Sequence, residues 1–103
     1  MQKQIRQGDI LFIKVEEAPE DAKPIKRVEG RLIVAEGEAT GHHHAIATPD
    51  VEMLERDNIR WLVSPEEFVL EHDEHDKVRF DPGVWQVVYQ REYDPRQNRR
   101  VLD

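Results

Sequence analysis

The sequence predicts an all-β protein, a small antiparallel barrel or sandwich that ends in a three-stranded meander. Three observations predict it. Val, Ile, Leu and aromatic residues gather in short runs, and turn-forming residues fall between those runs. The one segment with helix-start signals lacks apolar residues on the turns that would follow. At 103 residues the chain is expected to form one domain over 1–103, with room for a single modest core.

The runs follow in order. "GDILFIKVE" (8–16) is dense in large apolar residues and ends in alternation, Ile13 and Val15 against Lys14 and Glu16. The "RQGD" before and into it reads as a strand-entry turn in which Gly8 supplies backbone freedom. "EEAPEDAKP" (16–24) is acidic, holds two prolines and has no apolar period, so it reads as a surface loop. Strands are expected at "RLIVAE" (31–36), "HAIAT" (44–48), "VEMLE" (51–55) and "IRWLV" (59–63). "EFVLEH" (67–72), "DKVRF" (76–80) and "VWQVVYQREY" (84–93) complete the set. "EGE", "TPD", "RDN", "SPE" and "DPG" punctuate them. Ser64, Pro65 and Glu67 have the form of a helix N-cap, first-turn proline and capping-box glutamate. A helix there would place Glu71, His72 and His75 where apolar residues are needed, so the strand reading is preferred.

Register follows from the same pattern. Pairing "EFVLEH" with "DKVRF" sets Phe68 opposite Phe80, Leu70 opposite Val78 and His72 opposite Asp76, with Glu71 facing Lys77 on the other side. A slip by one residue would set Leu70 against Lys77, which a sheet buried on one face does not tolerate. "DPG" (81–83) then suits a type II turn. Closing it as a hairpin pairs Phe80 with Trp85 and Val78 with Val87, completing the meander.

Charge and composition exclude several classes. The net charge of −7 opposes a nucleic-acid backbone as partner, so none is expected; the basic "RQNRR" (96–100) reads as a solvated end. The absence of cysteine excludes disulfides and thiolate chemistry, leaving His, Asp and Glu for any metal. No stretch has the apolar length of a signal peptide or membrane span, so the expected compartment is the cytoplasm and no membrane partner is expected.

Five histidines fall in two clusters. "GEATGHHHAIAT" (37–48) carries His42, His43 and His44 and runs directly into an apolar stretch, unlike a terminal affinity tag. On a strand His42 and His44 point to one side and His43 to the other, and Thr40 or Glu38 would extend the first face. "EHDEHD" (71–76) adds His72 facing the core and His75 in the turn, with Asp76 beside them. The candidate metal ligands are therefore His42, His44, His72, His75 and Asp76. Neutral imidazoles with a carboxylate suit Zn²⁺, Fe²⁺, Mn²⁺ or Ni²⁺. Asp76 alternatively orients His72 by accepting its other N–H. Histidines flanked by Gly, Asp and Glu are also common in exposed loops, and three in a row have no fixed ligand spacing. Their concentration in two clusters is what favours a site.

The stretches "RQGDILFIKV", "EGEATGHHHAI" and "LEHDEHDKVRFDPGVWQVVYQREYDP" resemble a group of small, functionally uncharacterised bacterial proteins. In that pattern His42, His44, His72 and His75 match histidine positions, while His43 does not. The His-x-His pair before a strand, with "DPGVWQVV", is also similar to cupins, though the later histidine and the glutamate of that pattern are absent. The opening strand with its acidic continuation is similar to the co-chaperonin barrel, without that family's apolar mobile loop.

Two function classes follow. The first is a metal-binding β protein, with hydrolysis by a metal-bound water as its least demanding chemistry and Asp76 or Glu74 as base. The second is a non-catalytic interaction module that pairs with itself or with a larger partner through strand edges, its histidines a polar patch responsive to pH. Metal-free acid–base chemistry on a phosphodiester is a third class, disfavoured by the charge.

Overall fold

A computed structural model of the chain describes residues 3–36, 43–72 and 75–89. All regular structure among them is strand. Six strands form the larger sheet: β1 (Gln4–Gln7), β2 (Ile10–Val15), β3 (Lys23–Pro24), β6 (Glu52–Arg56), β7 (Ile59–Ser64) and β10 (Gly83–Tyr89). Their spatial order is β1-β2-β10-β7-β6-β3, antiparallel throughout. The other layer holds two hairpin pairs, β4 (Leu32–Glu36) with β5 (His43–Ile46) and β8 (Phe68–Leu70) with β9 (Val78–Phe80). A backbone bridge between Ala45 and Glu71 joins the two pairs. The result is sandwich-like and not a closed barrel. No helix among the described residues is long and apolar enough to cross a membrane.

Alternation along each strand explains the core. On the large sheet Phe12 pairs with Val87, and Leu62 pairs with both Trp85 and Met53, so these residues share the inward face. Leu32, Val34, Ile46, Phe68, Leu70 and Phe80 close on them from the other layer, and all are fully or nearly fully buried. Phe80 sits at the centre. Its ring stacks on Phe68 at 4.7 Å and meets Phe12 and Trp85 edge-on, each at 5.0 Å between centroids.

Turn chemistry fixes the connections. Asp57 and Asn58 both take positive φ (52° and 67°) in the two-residue turn between β6 and β7, the geometry that matches strand twist. Gly8, at φ 61°, opens the two-residue turn between β1 and β2, as its reading as a strand-entry turn anticipates. Residues 16–22 form the expected loop, and "KP" at its end adds the short edge strand β3. The Ser64 hydroxyl donates to Glu66 O at 2.7 Å and accepts from Glu66 N at 3.2 Å. These bonds make the "SPE" segment a turn leading into β8, in place of the competing helix.

The register proposed for the β8–β9 hairpin is the one observed, with Phe68 opposite Phe80 and Leu70 opposite Val78. The pairing ends there, short of the expected rungs of Glu71 with Lys77 and His72 with Asp76, and Glu71 bridges to Ala45. The third strand of the expected C-terminal meander is a correction. β10 does not pair with β9; it enters the large sheet between β2 and β7. Asp81, Pro82 and Gly83 therefore carry the chain from one layer to the other. A type II turn does not match hairpin twist, and Gly83 (φ 132°) already pairs with Ser64. The Trp85 indole N–H donates back to Asp81 O at 3.0 Å, and Phe80 meets Trp85 across the core instead of across a ladder.

Because Phe80 touches three other aromatic rings, Phe80→Ala is expected to cost about 3–5 kcal/mol. Arg79→Ala, at an exposed neighbour, should change stability by less than about 0.5 kcal/mol. Urea unfolding of the two variants beside the parent chain checks both; equal effects would contradict the assignment of the core.

Candidate functional site

The site begins with a β-bulge. Between β4 and β5 the register shifts, so that Ile33 faces Ala45 while Ala35 faces His44, leaving Val34 as the extra residue. The Val34 carbonyl, out of the ladder, accepts from the Tyr89 hydroxyl at 2.8 Å and from Arg60 Nη1 at 3.1 Å. Burial of the Tyr89 phenol raises its pKa, so it stays a protonated donor. The large sheet thereby holds the bulge in place. Beyond it, His44 lies on the same side as core residue Ile46, and only 5% of its surface is exposed.

Two hydrogen bonds bring in the second cluster. Ala45 N donates to Glu71 O at 2.9 Å, and Glu71 N donates to Ala45 O at 2.8 Å. This antiparallel bridge sets His44 beside His72, one residue along each chain. Thr48 Oγ1 accepts from Val69 N at 3.2 Å and extends the seam. The His44 and His72 ring centroids are 4.3 Å apart, His72 and His75 are 4.5 Å apart, and His44 and His75 are 6.0 Å apart. The structure thus unites His44, His72 and His75 from segments almost thirty positions apart. The His43 side chain points to the other side of β5, with Nδ1 buried and without a partner among the described residues.

Gln7, which the sequence reading did not single out, completes the arrangement. Alternation from Ile5 aims it inward from β1, and it is 3% exposed. Its amide nitrogen donates to Asp76 O at 2.8 Å and to Leu70 O at 3.3 Å, so its oxygen faces His44 Nδ1, 2.7 Å away. A carbonyl oxygen only accepts. His44 therefore carries its proton on Nδ1 and keeps a lone pair on Nε2. Asp76, an exposed residue, enters the site through its carbonyl oxygen.

Gly8 makes room for the rings. A Cβ there would stand 2.9 Å from His75 Nε2 and 3.2 Å from His44 Cε1, so the two imidazoles rest against the backbone of the β1–β2 turn. Burial pushes the His44 pKa down from 6.5 to about 4; the neighbouring His72 and His75 add to the shift, and Asp9 opposes it. At neutral pH His44 is an uncharged base.

Of the five expected ligands, His44, His72, His75 and Asp76 lie among the described residues. His42 falls outside the described residues, as do Glu38, Thr40 and Glu74. Among the described residues no group of three or more His, Asp or Glu side chains is arranged to hold a metal ion. The rings lean on one another, and His72 Nδ1 accepts from the His75 backbone N–H at 3.3 Å. Protonation is disfavoured at His44, and the three rings do not converge on one point.

Fold and site together define an antiparallel β sandwich with a clustered set of imidazoles at the seam between its two hairpin pairs. The chain belongs to the family described as "Domain of unknown function (DUF8820)", whose model matches residues 6–90, a span that includes Gln7, Gly8 and all five histidines. Comparison with curated proteins gives no match, and comparison with solved structures gives none either.

The pH dependence of folding follows from His44. Its folded pKa of about 4 lies below the unfolded value of 6.5, so between those values the unfolded chain binds more protons. That contribution to stability is complete above the unfolded pKa and is lost as pH falls toward 4. It amounts to about 3 kcal/mol at about 1.4 kcal/mol for each pH unit. Urea unfolding in chelator from pH 7.5 down to 5 should show a shallower loss of stability in His44→Gln than in the parent. Equal slopes would contradict the burial of a neutral imidazole.

Proposed function

We propose that the histidine cluster is a binding site for a divalent transition metal, Zn²⁺, Fe²⁺, Mn²⁺ or Ni²⁺, with His44, His72 and His75 as its ligands. His42 and Asp76 are the residues put forward to complete the set. One observation carries this reading: three imidazoles from two distant segments lie within 4.3–6.0 Å of one another, ring to ring. Supporting it, His44 is neutral, its Nδ1 is hydrogen-bonded to Gln7, and the Nε2 lone pair remains for a ligand bond. Metal-bound histidines are ordinarily oriented through their other ring nitrogen in this way. His44, His72 and His75 would hold the ion, with His72 releasing the bond it accepts from the His75 amide. Such a metal would bring the pKa of bound water toward 7, so hydrolysis is the chemistry this site would support, in the cytoplasm and on a substrate other than nucleic acid.

The alternative reading is a non-catalytic module that self-associates through its strand edges. The edge position of β1 in the six-stranded sheet favours it, since an edge strand presents backbone groups for pairing.

Metal analysis of protein purified without an affinity tag or chelating column separates the two. The metal reading expects near-stoichiometric transition metal, lost in His44→Ala and in His72→Ala. It also expects added zinc at a hundred times its dissociation constant to stabilise the parent chain by about 2.7 kcal/mol. Protein that takes up none of the four metals, and whose melting temperature ignores them, contradicts it; a concentration-dependent dimer would then support the alternative.

A further inference from the structure

We infer that Gln7 is the positioning residue of the site, fixing His44 as the Nδ1–H tautomer so that Nε2 is the atom offered to a ligand. The inference rests on the metal reading only for what that atom binds.

The argument starts from an anomaly in the strand pattern. β1 alternates Ile5 and Gln7 on its inward face, and the inward neighbours of Gln7 on β2 are apolar, Ile10 and Phe12. A glutamine buried at such a position needs all of its polar atoms satisfied. Here they are satisfied by the site itself. The amide nitrogen donates to Leu70 O and Asp76 O, the two ends of the segment that bears His72 and His75. The amide oxygen accepts from His44 on β5. One side chain thus ties three segments together and sets the protonation of one ring.

Glutamine alone among similar side chains does both. Leucine would fill the volume but leave Leu70 O, Asp76 O and His44 Nδ1 without it. Glutamate would keep an acceptor for His44 but would place a carboxylate against two carbonyl oxygens. The two variants therefore separate the two roles. Glycine at the next position, Gly8, lets the turn backbone lie against the same rings, so residues 7 and 8 act on one cluster from one turn.

The test uses the full chain with ¹⁵N-labelled histidine. Ring-nitrogen shifts of the metal-free protein should show His44 as the Nδ1–H form in the parent and in Gln7→Glu. Gln7→Leu should show a mixture of tautomers. With Co²⁺ as the probe, read by its visible absorption, Gln7→Leu should bind about 10–100-fold more weakly than the parent. Gln7→Glu should recover part of that loss. Far-UV circular dichroism and the aromatic resonances of Phe68 and Phe80 establish that each variant is folded. A folded Gln7→Leu that keeps the pure Nδ1–H form overturns the inference, and so does a Gln7→Glu that loses it. If Gln7→Leu fails to fold, Gln7→Glu beside the parent decides. A parent chain with the expected tautomer that takes up no cobalt overturns the metal reading and supports the Gln7 assignment.

Discussion

Ala45 and Glu71 exchange a pair of backbone hydrogen bonds, at 2.9 and 2.8 Å, and the rest of the proposed chemistry depends on that exchange. Without it the β4–β5 and β8–β9 hairpins would be two separate ribbons, each too small to be stable alone. With it they become one layer over the large sheet, and the residues just outside the bridge, His44 and His72, are brought side by side. The constraint is geometric before it is chemical. In an antiparallel bridge the neighbours of the bridged residues are fixed in register, so the position of the imidazoles follows from the backbone.

Support for that geometry comes from both sides. The large sheet reaches across with Tyr89 and Arg60 to occupy the carbonyl of the bulged Val34, so the register shift before His44 is held. Gln7 reaches from the edge strand to the carbonyls on either side of the second histidine segment. The electrostatic outcome is an uncharged His44 in an acidic protein. Burial disfavours protonation of His44, and the neighbouring His72 and His75 rings disfavour it further. Neutral imidazoles are the form that metals bind.

Much of this was legible in the residues, for identifiable reasons. The β8–β9 register could be read because Val78 and Phe80 alternate with Lys77 and Arg79, so only one pairing sets them opposite Leu70 and Phe68 and buries the apolar set. The side taken by His44 followed from strand alternation. The passage at Asp81–Pro82–Gly83 was not legible: the same residues suit a turn within a sheet or a crossing between layers, and the partners of Trp85 decide between them. β1 was hidden because "QIRQ" holds one apolar residue, and its strand character comes from pairing with β2. Gln7 was missed with it. A polar residue two positions from Ile5 and just before a turn glycine is the signal, and it has meaning only once the strand is assigned.

The central claim is that these imidazoles converge on one ion. X-ray absorption at the zinc edge, on the full chain loaded with one equivalent of zinc and passed over a desalting column, tests it most directly. The account predicts a nitrogen shell at about 2.0–2.1 Å with the outer-shell scattering of three or more imidazole rings. A shell of oxygen alone, without imidazole scattering, or zinc that washes away on the column, would contradict it.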